Sequence, residues 1–383
     1  MKIVADKAIP FLQHCFAPLG AITPVDGRDI GPDQVRDADV LLVRTVTRVN
    51  AALLAGSSVR FVGSPTSGTD HLDVEYLQRA GIAWSAAPGC NARSVAEYVL
   101  SALLVTMESL GRELRGLRAG IIGSGHVGSA VAEMLSLVGV DCILHDPPLQ
   151  AATGDGKFQP LAAALAADIV TLHVPLVRSG PFATLGMVDG AFLNSMGPDA
   201  IFINTARGEV VDEAALLNAL RTRPDLRAII DVWSGEPNVN AALLQEADIA
   251  TAHIAGYSTD GRLRASAGIA AALGKWAGAP QHEFKPPELP GSGVPEILIA
   301  PEMDFMSALQ AAVLGSYDVR SDAIVLRRLV QGDAAALRHG FSEARNDYPL
   351  RREFSAHVVV MEPGCAEIGQ ALESLGFNVQ ERK

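Results

Sequence analysis

The chain has 383 residues, too many for one ordinary domain and enough for roughly two or three. Its 43 acidic and 31 basic side chains leave a formal charge of −12, which argues against a nucleic-acid or anionic-membrane partner. With 49% hydrophobic and 19% charged residues it is globular in composition, and no apolar stretch is free enough of charge to span a bilayer.

The N-terminus, M-K-I-V-A-D, sets an acid at Asp6 where a secretory signal would stay apolar. Strands are predicted at Lys2–Ala5, Val40–Arg44, Arg60–Gly63 and Ile82–Ser85, followed by a long helix over Ala92–Glu113. The alternation then becomes denser. Ala119–Ile122, Asp141–Leu144, Ile169–His173, Ala200–Asn204, Ala228–Asp231 and Ile249–Ala252 all read as short strands buried on both faces of a parallel sheet. Gly278–Pro295 holds prolines 280, 286, 287, 290 and 295 and reads as a linker or surface crossing. Beyond it, strands at Ile297–Ala300 and His357–Met361 and helices near Met303–Leu314 and Gly364–Leu375 suggest a small third domain. The cysteines at 15, 90, 142 and 365 are scattered with no metal-ligand spacing, and His71 has no second ligand near it, so a reducing, cytoplasmic setting without a metal is expected.

The string Gly120-Ile-Ile-Gly123-Ser-Gly125-His126-Val127-Gly128 follows a predicted strand and opens a helix from about Val127 to Leu137. The first glycine of G-x-G-x-x-G makes the tight turn and the second lets backbone approach a pyrophosphate. The third lets helix and strand pack closely. Asp146 closes the next strand, eighteen residues after Gly128. A carboxylate there accepts hydrogen bonds from ribose hydroxyls and repels a 2′-phosphate, so the expected cofactor is NAD rather than NADP.

Three further motifs each close a predicted strand: Asn204-Thr205-Ala206-Arg207-Gly208-Glu209, Asp231-Val232-Trp233-Ser234-Gly235-Glu236-Pro237 and His253-Ile254-Ala255-Gly256-Tyr257. In a doubly wound sheet the carboxyl ends of strands meet at one crevice. Oxidising a 2-hydroxy acid needs a cation for the carboxylate, a base for the hydroxyl proton and a hydride acceptor. Arginine suits the first, and histidine, supported by a glutamate that favours the imidazolium, suits the second. Singly, Arg207 also reads as a surface ion-pair partner, Glu236 as a turn residue and His253 as a core histidine. The three strand ends in one order weigh toward chemistry.

On these strings the chain resembles the D-isomer-specific 2-hydroxyacid dehydrogenases. The resemblance implies a catalytic set of Arg207, Glu236 and His253. It implies cofactor contacts from Gly123, Gly125, His126, Val127, Gly128, Asp146, Val174, Thr205, Ala206, Arg207, Asp231 and Gly256. Further strings, V-R-T-V-T-R-V-N at 43–50, G-T-D-H-L-D at 68–73, A-A-P-G-C-N at 86–91 and Y-D-V-R-S-D at 317–322, point to a branch that oxidises a phosphorylated sugar acid for vitamin B6 synthesis. That branch implies substrate contacts from Thr45, Thr66 and Tyr257. Arg44, beside Thr45, reads either as a phosphate ligand or as a solvated strand-end arginine. Arg351 and Arg352 read as an exposed basic pair, with an anion site as the alternative. Three positions depart from the pattern: Thr45 replaces a serine, Val174 a threonine and Gly186 a histidine.

The implied fold is a Rossmann-type doubly wound parallel sheet domain over 96–253. Beside it stand a discontinuous flavodoxin-like substrate domain, 1–95 plus 254–283, and a C-terminal α/β dimerisation domain, 290–383. A homodimer is expected, with the apolar faces near Met303–Leu314 and His357–Met361 as candidate interfaces. A cut near Pro290 is expected to leave the preceding parts folded. The rival readings are a dehydrogenase for another 2-hydroxy acid, such as 3-phosphoglycerate, and a non-catalytic NAD-sensing scaffold.

Overall fold

A computed structural model describes residues 1–279, 287–362 and 366–382. Pro280, Pro286, Gly364 and Cys365, on which parts of the linker, helix and cysteine readings fall, lie outside the described residues. The chain falls into two compact units, Met1–Asn91 with Thr259–Pro290 and Ala92–Ser258 with Gly291–Lys383.

In the first unit five strands form one parallel sheet: β1 (Lys2–Asp6), β2 (Ala21–Val25), β3 (Val40–Leu42), β4 (Phe61–Ser64) and β5 (Ala83–Ala86). Their order, β2-β1-β3-β4-β5, is the flavodoxin-like one. Alternation along each strand sorts the core into two layers. Ile3, Ala5, Val40, Leu42 and Phe61 face the helix Thr259–Trp276 through Ile269 and Leu273. Val4, Leu41 and Val62 join Val35, Leu53 and Leu77 on the other side. Both faces are covered, which is why these strands carry almost no polar residues.

The second unit holds a six-stranded sheet: β6 (Arg118–Ile122), β7 (Asp141–His145), β8 (Ile169–Leu172), β9 (Ile201–Asn204), β10 (Arg227–Ile230) and β11 (Ile249–Ala250). The order β11-β10-β9-β8-β6-β7 is wholly parallel and reverses direction at β6, a topological switch point. Ile121, Ile169, Ile203 and Ile229 pack toward the helices Ala92–Leu110 and His126–Leu137. Ile122, Val170, Phe202 and Ile230 pack toward Leu165, Phe192, Leu216 and Leu243. Every strand expected here is present, within a residue or two at each end.

A third parallel sheet, β12 (Ile297–Ile299), β13 (Val358–Met361) and β14 (Asn378–Glu381), lies in the same compact unit as the six-stranded one. Residues 287–296 form no helix or strand, as their prolines dictate. The C-terminal apolar side chains do not stand apart. Ile297, Ile299, Leu309, Val313, Phe354 and Val359 belong to the same cluster as Val99, Leu103 and Ile121. Leu326, Leu337 and Phe341 belong to the cluster on the opposite face. The expectation that the core of the first parts all precedes Pro290 is therefore corrected. So is the reading of Arg351 as exposed: it is 5% exposed, donates to the Ser94 and Ala255 carbonyls at 2.7 and 3.1 Å, and lies over the Tyr317 ring.

Candidate active site

The glycine loop turns out of β6 into the helix His126–Leu137. Gly123 has φ +90°, a conformation that L side chains rarely adopt, and a Cβ there would sit 2.8 Å from the His173 carbonyl. A Cβ at Gly128 would lie 1.8 Å from the Gly123 oxygen. At Gly125 the same atom would meet nothing within 4 Å, so the glycine leaves open space above the loop. No side chain caps this helix, whose first turn, with His126 and Val127, therefore presents backbone N–H groups without a side-chain acceptor. Asp146 ends the strand β7 and caps the next helix. Its Oδ1 accepts from Leu149 N at 2.9 Å and its Oδ2 from Ser124 N at 2.8 Å, which fixes the carboxylate against the glycine loop.

The end of β8 supplies His173, whose ring nitrogens lie 3.0 Å from Thr171 Oγ1 and 3.3 Å from Thr205 Oγ1. Burial pushes its imidazole down to about 3, so it stays neutral and orients Thr205. Val174, next in the chain, packs beside Gly123, where its methyl groups replace the hydroxyl of the threonine expected there. Gly186 has φ +63° and donates to the Glu209 carbonyl at 2.9 Å, a conformation that favours glycine over the expected histidine.

At the end of β9 the Asn204 side chain bridges Ala206 N and Arg207 O at 3.0 and 3.1 Å, closing a tight turn that lifts Arg207 out of the sheet. Arg207 Nη1 donates to the Ala206 carbonyl at 2.7 Å. Gly208 lets this turn touch the next one, since a Cβ there would lie 1.9 Å from the Trp233 carbonyl carbon. The loops bearing Arg207 and Glu236 are thus in backbone contact.

Glu236 and His253 form a pair, Nδ1 to Oε2 at 2.7 Å. The other carboxylate oxygen accepts from Trp233 N at 2.9 Å. Burial alone would push the Glu236 carboxyl up. The His253 ring, the Arg345 guanidinium and the Trp233 N–H outweigh it and hold the carboxyl below its ordinary range. Since a carboxylate can only accept, Nδ1 carries the proton and Nε2 is left to take one.

Asp231 shapes the turn that carries His253. It is 1% exposed, and its carboxylate accepts from Thr251 Oγ1, Ile254 N and Ala255 N at 2.6, 2.8 and 3.0 Å. Its carbonyl takes His253 N at 2.7 Å, and His253 itself has φ +56°. These three donors fill both sites of Oδ1 and one of Oδ2, so Oδ2 keeps a lone pair for a further donor. Gly256 and Tyr257 follow in the same turn, Tyr257 N donating to the Ile254 carbonyl at 2.7 Å.

Thr45, Thr66 and Arg44 belong to the first unit. Arg44 Nε binds the buried Asp6 carboxylate at 2.8 Å, so it is not simply a solvated strand-end arginine. Thr66 Oγ1 lies 2.8 Å from Ser64 Oγ, which in turn meets His71 Nε2 at 2.8 Å, giving His71 a structural place. Among the described residues no group of three or more His, Cys, Asp and Glu is arranged to hold a metal.

No sequence motif singles out Arg345. It ends the helix Ala334–Asn346 and brings Nη1 to 3.5 Å from Glu236 Oε2.

Among solved structures, the NAD+-bound 3-phosphoglycerate dehydrogenase of Entamoeba histolytica matches with a TM-score of 0.61 at 22% identity, over 74% of this chain and 98% of that one, a likeness of fold alone. The pattern of the D-isomer specific 2-hydroxyacid dehydrogenase NAD binding domain matches residues 97–255, and one of a domain of unknown function matches 289–376. Fold and site together define a D-isomer-specific 2-hydroxyacid dehydrogenase that uses NAD. An erythronate-4-phosphate dehydrogenase from Chromohalobacter salexigens is 42% identical over 99% of both chains, and one from Pseudomonas fluorescens is 44% identical over 98% of this chain and 99% of its own. This chain belongs to the erythronate-4-phosphate dehydrogenase family.

Proposed function

We propose that the protein oxidises 4-phospho-D-erythronate to 2-oxo-3-hydroxy-4-phosphobutanoate in the route to pyridoxal 5′-phosphate. The observation that carries this is the Glu236–His253 pair on a buried, left-handed turn beside the Arg207 loop. His253 Nε2 takes the C2 hydroxyl proton, and Glu236, already ionised, stabilises the imidazolium that forms. Arg207 holds the substrate carboxylate through its fork. NAD, when bound, supplies the acceptor for the C2 hydride. Its pyrophosphate would lie over Gly125 at the helix N-terminus and its adenosine ribose at Asp146. Thr45, Thr66 and Tyr257 would contact the substrate, with Arg44, steered by Asp6, toward the phosphate. In this reading 1–95 with 254–283 binds substrate, 96–253 binds NAD, and 290–383 forms a dimer interface.

The described faces near Met303–Leu314 and His357–Met361 spend Leu309, Val313, Val359 and Met361 on the core. Support for self-association comes instead from Leu298, Ile324 and Val325, exposed at 62%, 49% and 47%. A cytoplasmic setting is supported by Cys15 and Cys142, both free thiols. No helix of the described residues is long and apolar enough to cross a membrane.

The test is a panel of D-2-hydroxy acids, with and without a terminal phosphate, followed at the NADH absorbance band. Selective turnover of 4-phospho-D-erythronate is expected. Equal or better turnover of 3-phosphoglycerate would move the protein to another substrate, and no turnover with any acid would leave the NAD-sensing scaffold.

A further inference from the structure

We infer that Arg345, from the C-terminal segment, is a positioning residue of the active site that keeps Glu236 charged and aimed at His253. This rests on the reading of Glu236 and His253 as the catalytic pair. The helix Ala334–Asn346 packs Leu337 and Phe341 into the core beneath the six-stranded sheet. A glycine at 340 permits this, since a Cβ there would strike Leu329 at 2.5 Å. The last turn thereby delivers the Arg345 guanidinium to Glu236 Oε2 at 3.5 Å, the same oxygen that holds His253 Nδ1. The guanidinium also lies 6.0 Å from the centre of the Tyr257 ring, four residues beyond His253. Arg345 Nε is buried without a hydrogen-bond partner.

The alternatives for such an arginine are poorer. A surface ion pair gains little and would not sit on a carboxylate only 17% exposed. Glu236 has another acid nearby in Glu213, which burial pushes up, and Asp231 lies near Arg345. Among the described residues, the His253 ring and the Arg345 guanidinium both face Glu236 Oε2. His253 must gain and lose its charge in each turnover, so a permanent cation is what keeps Glu236 ionised when the imidazole is neutral.

The experiment compares Arg345→Met, Arg345→Lys and Glu236→Gln in the full-length protein, using the pH profile of kcat/KM and the ring resonance of His253 in histidine-labelled enzyme, assigned by its loss in His253→Gln. NADH binding checks that each variant is folded. For Arg345→Met the acid limb is expected to move up by about one pH unit, with kcat falling roughly tenfold and KM nearly unchanged, because a charge within a few ångströms shifts a carboxyl by about that much. Arg345→Lys should restore most of both. An unmoved acid limb in a folded Arg345→Met, or a loss confined to KM for the phosphorylated substrate, overturns the inference and makes Arg345 a structural or phosphate-binding residue. If Glu236→Gln also leaves the profile and rate unchanged, the catalytic pair itself is wrong.

Discussion

His253 stands in a left-handed conformation, and its own N–H and those of Ile254 and Ala255 all donate to Asp231. Strain of this kind, on the order of 1–3 kcal/mol, persists where the surroundings over-determine it. His253→Ala should therefore cut kcat by roughly 10²–10⁴-fold while NADH still binds. Retention of more than about a tenth of the activity would remove the histidine from the role of base. Asp146, the proposed ribose acceptor, also anchors Ser124 N. Asp146→Ser keeps a cap for the helix at Pro147–Thr153 but removes the charge, so kcat/KM for NADP should rise relative to NAD. Equal use of both cofactors by the unmodified protein would contradict this. Arg207, Glu236 and His253 were legible because each closes a strand in a motif of distinctive composition. Arg345 was not: a lone arginine in a helix's last turn reads as a complement to the helix dipole, and its contact with Glu236 arises only from tertiary packing.

Among the elements, the buried strands announced themselves through Val, Ile and Leu, while two edge strands did not. The strand β2 carries Pro24 and is exposed along most of its length, as an edge permits, and β14, Asn-Val-Gln-Glu, is largely polar. The helices Arg320–Leu329 and Ala334–Asn346 also went unread, the second interrupted by Gly340, which lowers any helical signal. The helix Ala92–Leu110 hides a feature its sequence understates. Glu97 is fully buried, with Oε1 accepting from Arg93 Nε at 2.9 Å and Phe354 N at 3.0 Å. Burial, with Glu353 nearby, pushes its carboxyl from 4.5 to about 7. In that window the folded chain holds a proton that the unfolded chain releases, so stability is full below it and falls as pH rises through it. The slope from one group is at most about 1.4 kcal/mol per pH unit. Urea titrations from pH 5 to 8 should show that fall, and Glu97→Gln should flatten it. An unchanged slope in Glu97→Gln would place the proton elsewhere.

For the whole molecule, the C-terminal segment is built into the same compact unit as the six-stranded sheet. Ser101 Oγ donates to the Tyr317 carbonyl at 2.8 Å, Ser94 Oγ meets Glu353 Oε1 at 2.9 Å, and the Tyr98 and Tyr317 rings lie tilted with centres 6.4 Å apart. Removing residues 291–383 would strip these partners and expose Val99 and Leu103, at about 1.5–3 kcal/mol for each large apolar group against a total stability of about 5–15 kcal/mol. The fragment 1–290 is expected to lose cooperative unfolding and to bind hydrophobic dye. A fragment that unfolds cooperatively and binds NADH would show the segment to be dispensable. Self-association is better probed in the intact chain by Ile324→Glu with Val325→Glu, which should lower the sedimenting mass without loss of fold. An unchanged mass would place the interface elsewhere.

In the proposed function, C2 of a phosphorylated sugar acid gives its hydride to NAD at the His253 site. Incubation with 4-phospho-D-erythronate deuterated at C2, followed by mass measurement of the reduced cofactor, tests it directly. The label should appear in NADH and the 2-oxo acid should lack it. NADH formed without the label, or label washed into water, would contradict the account.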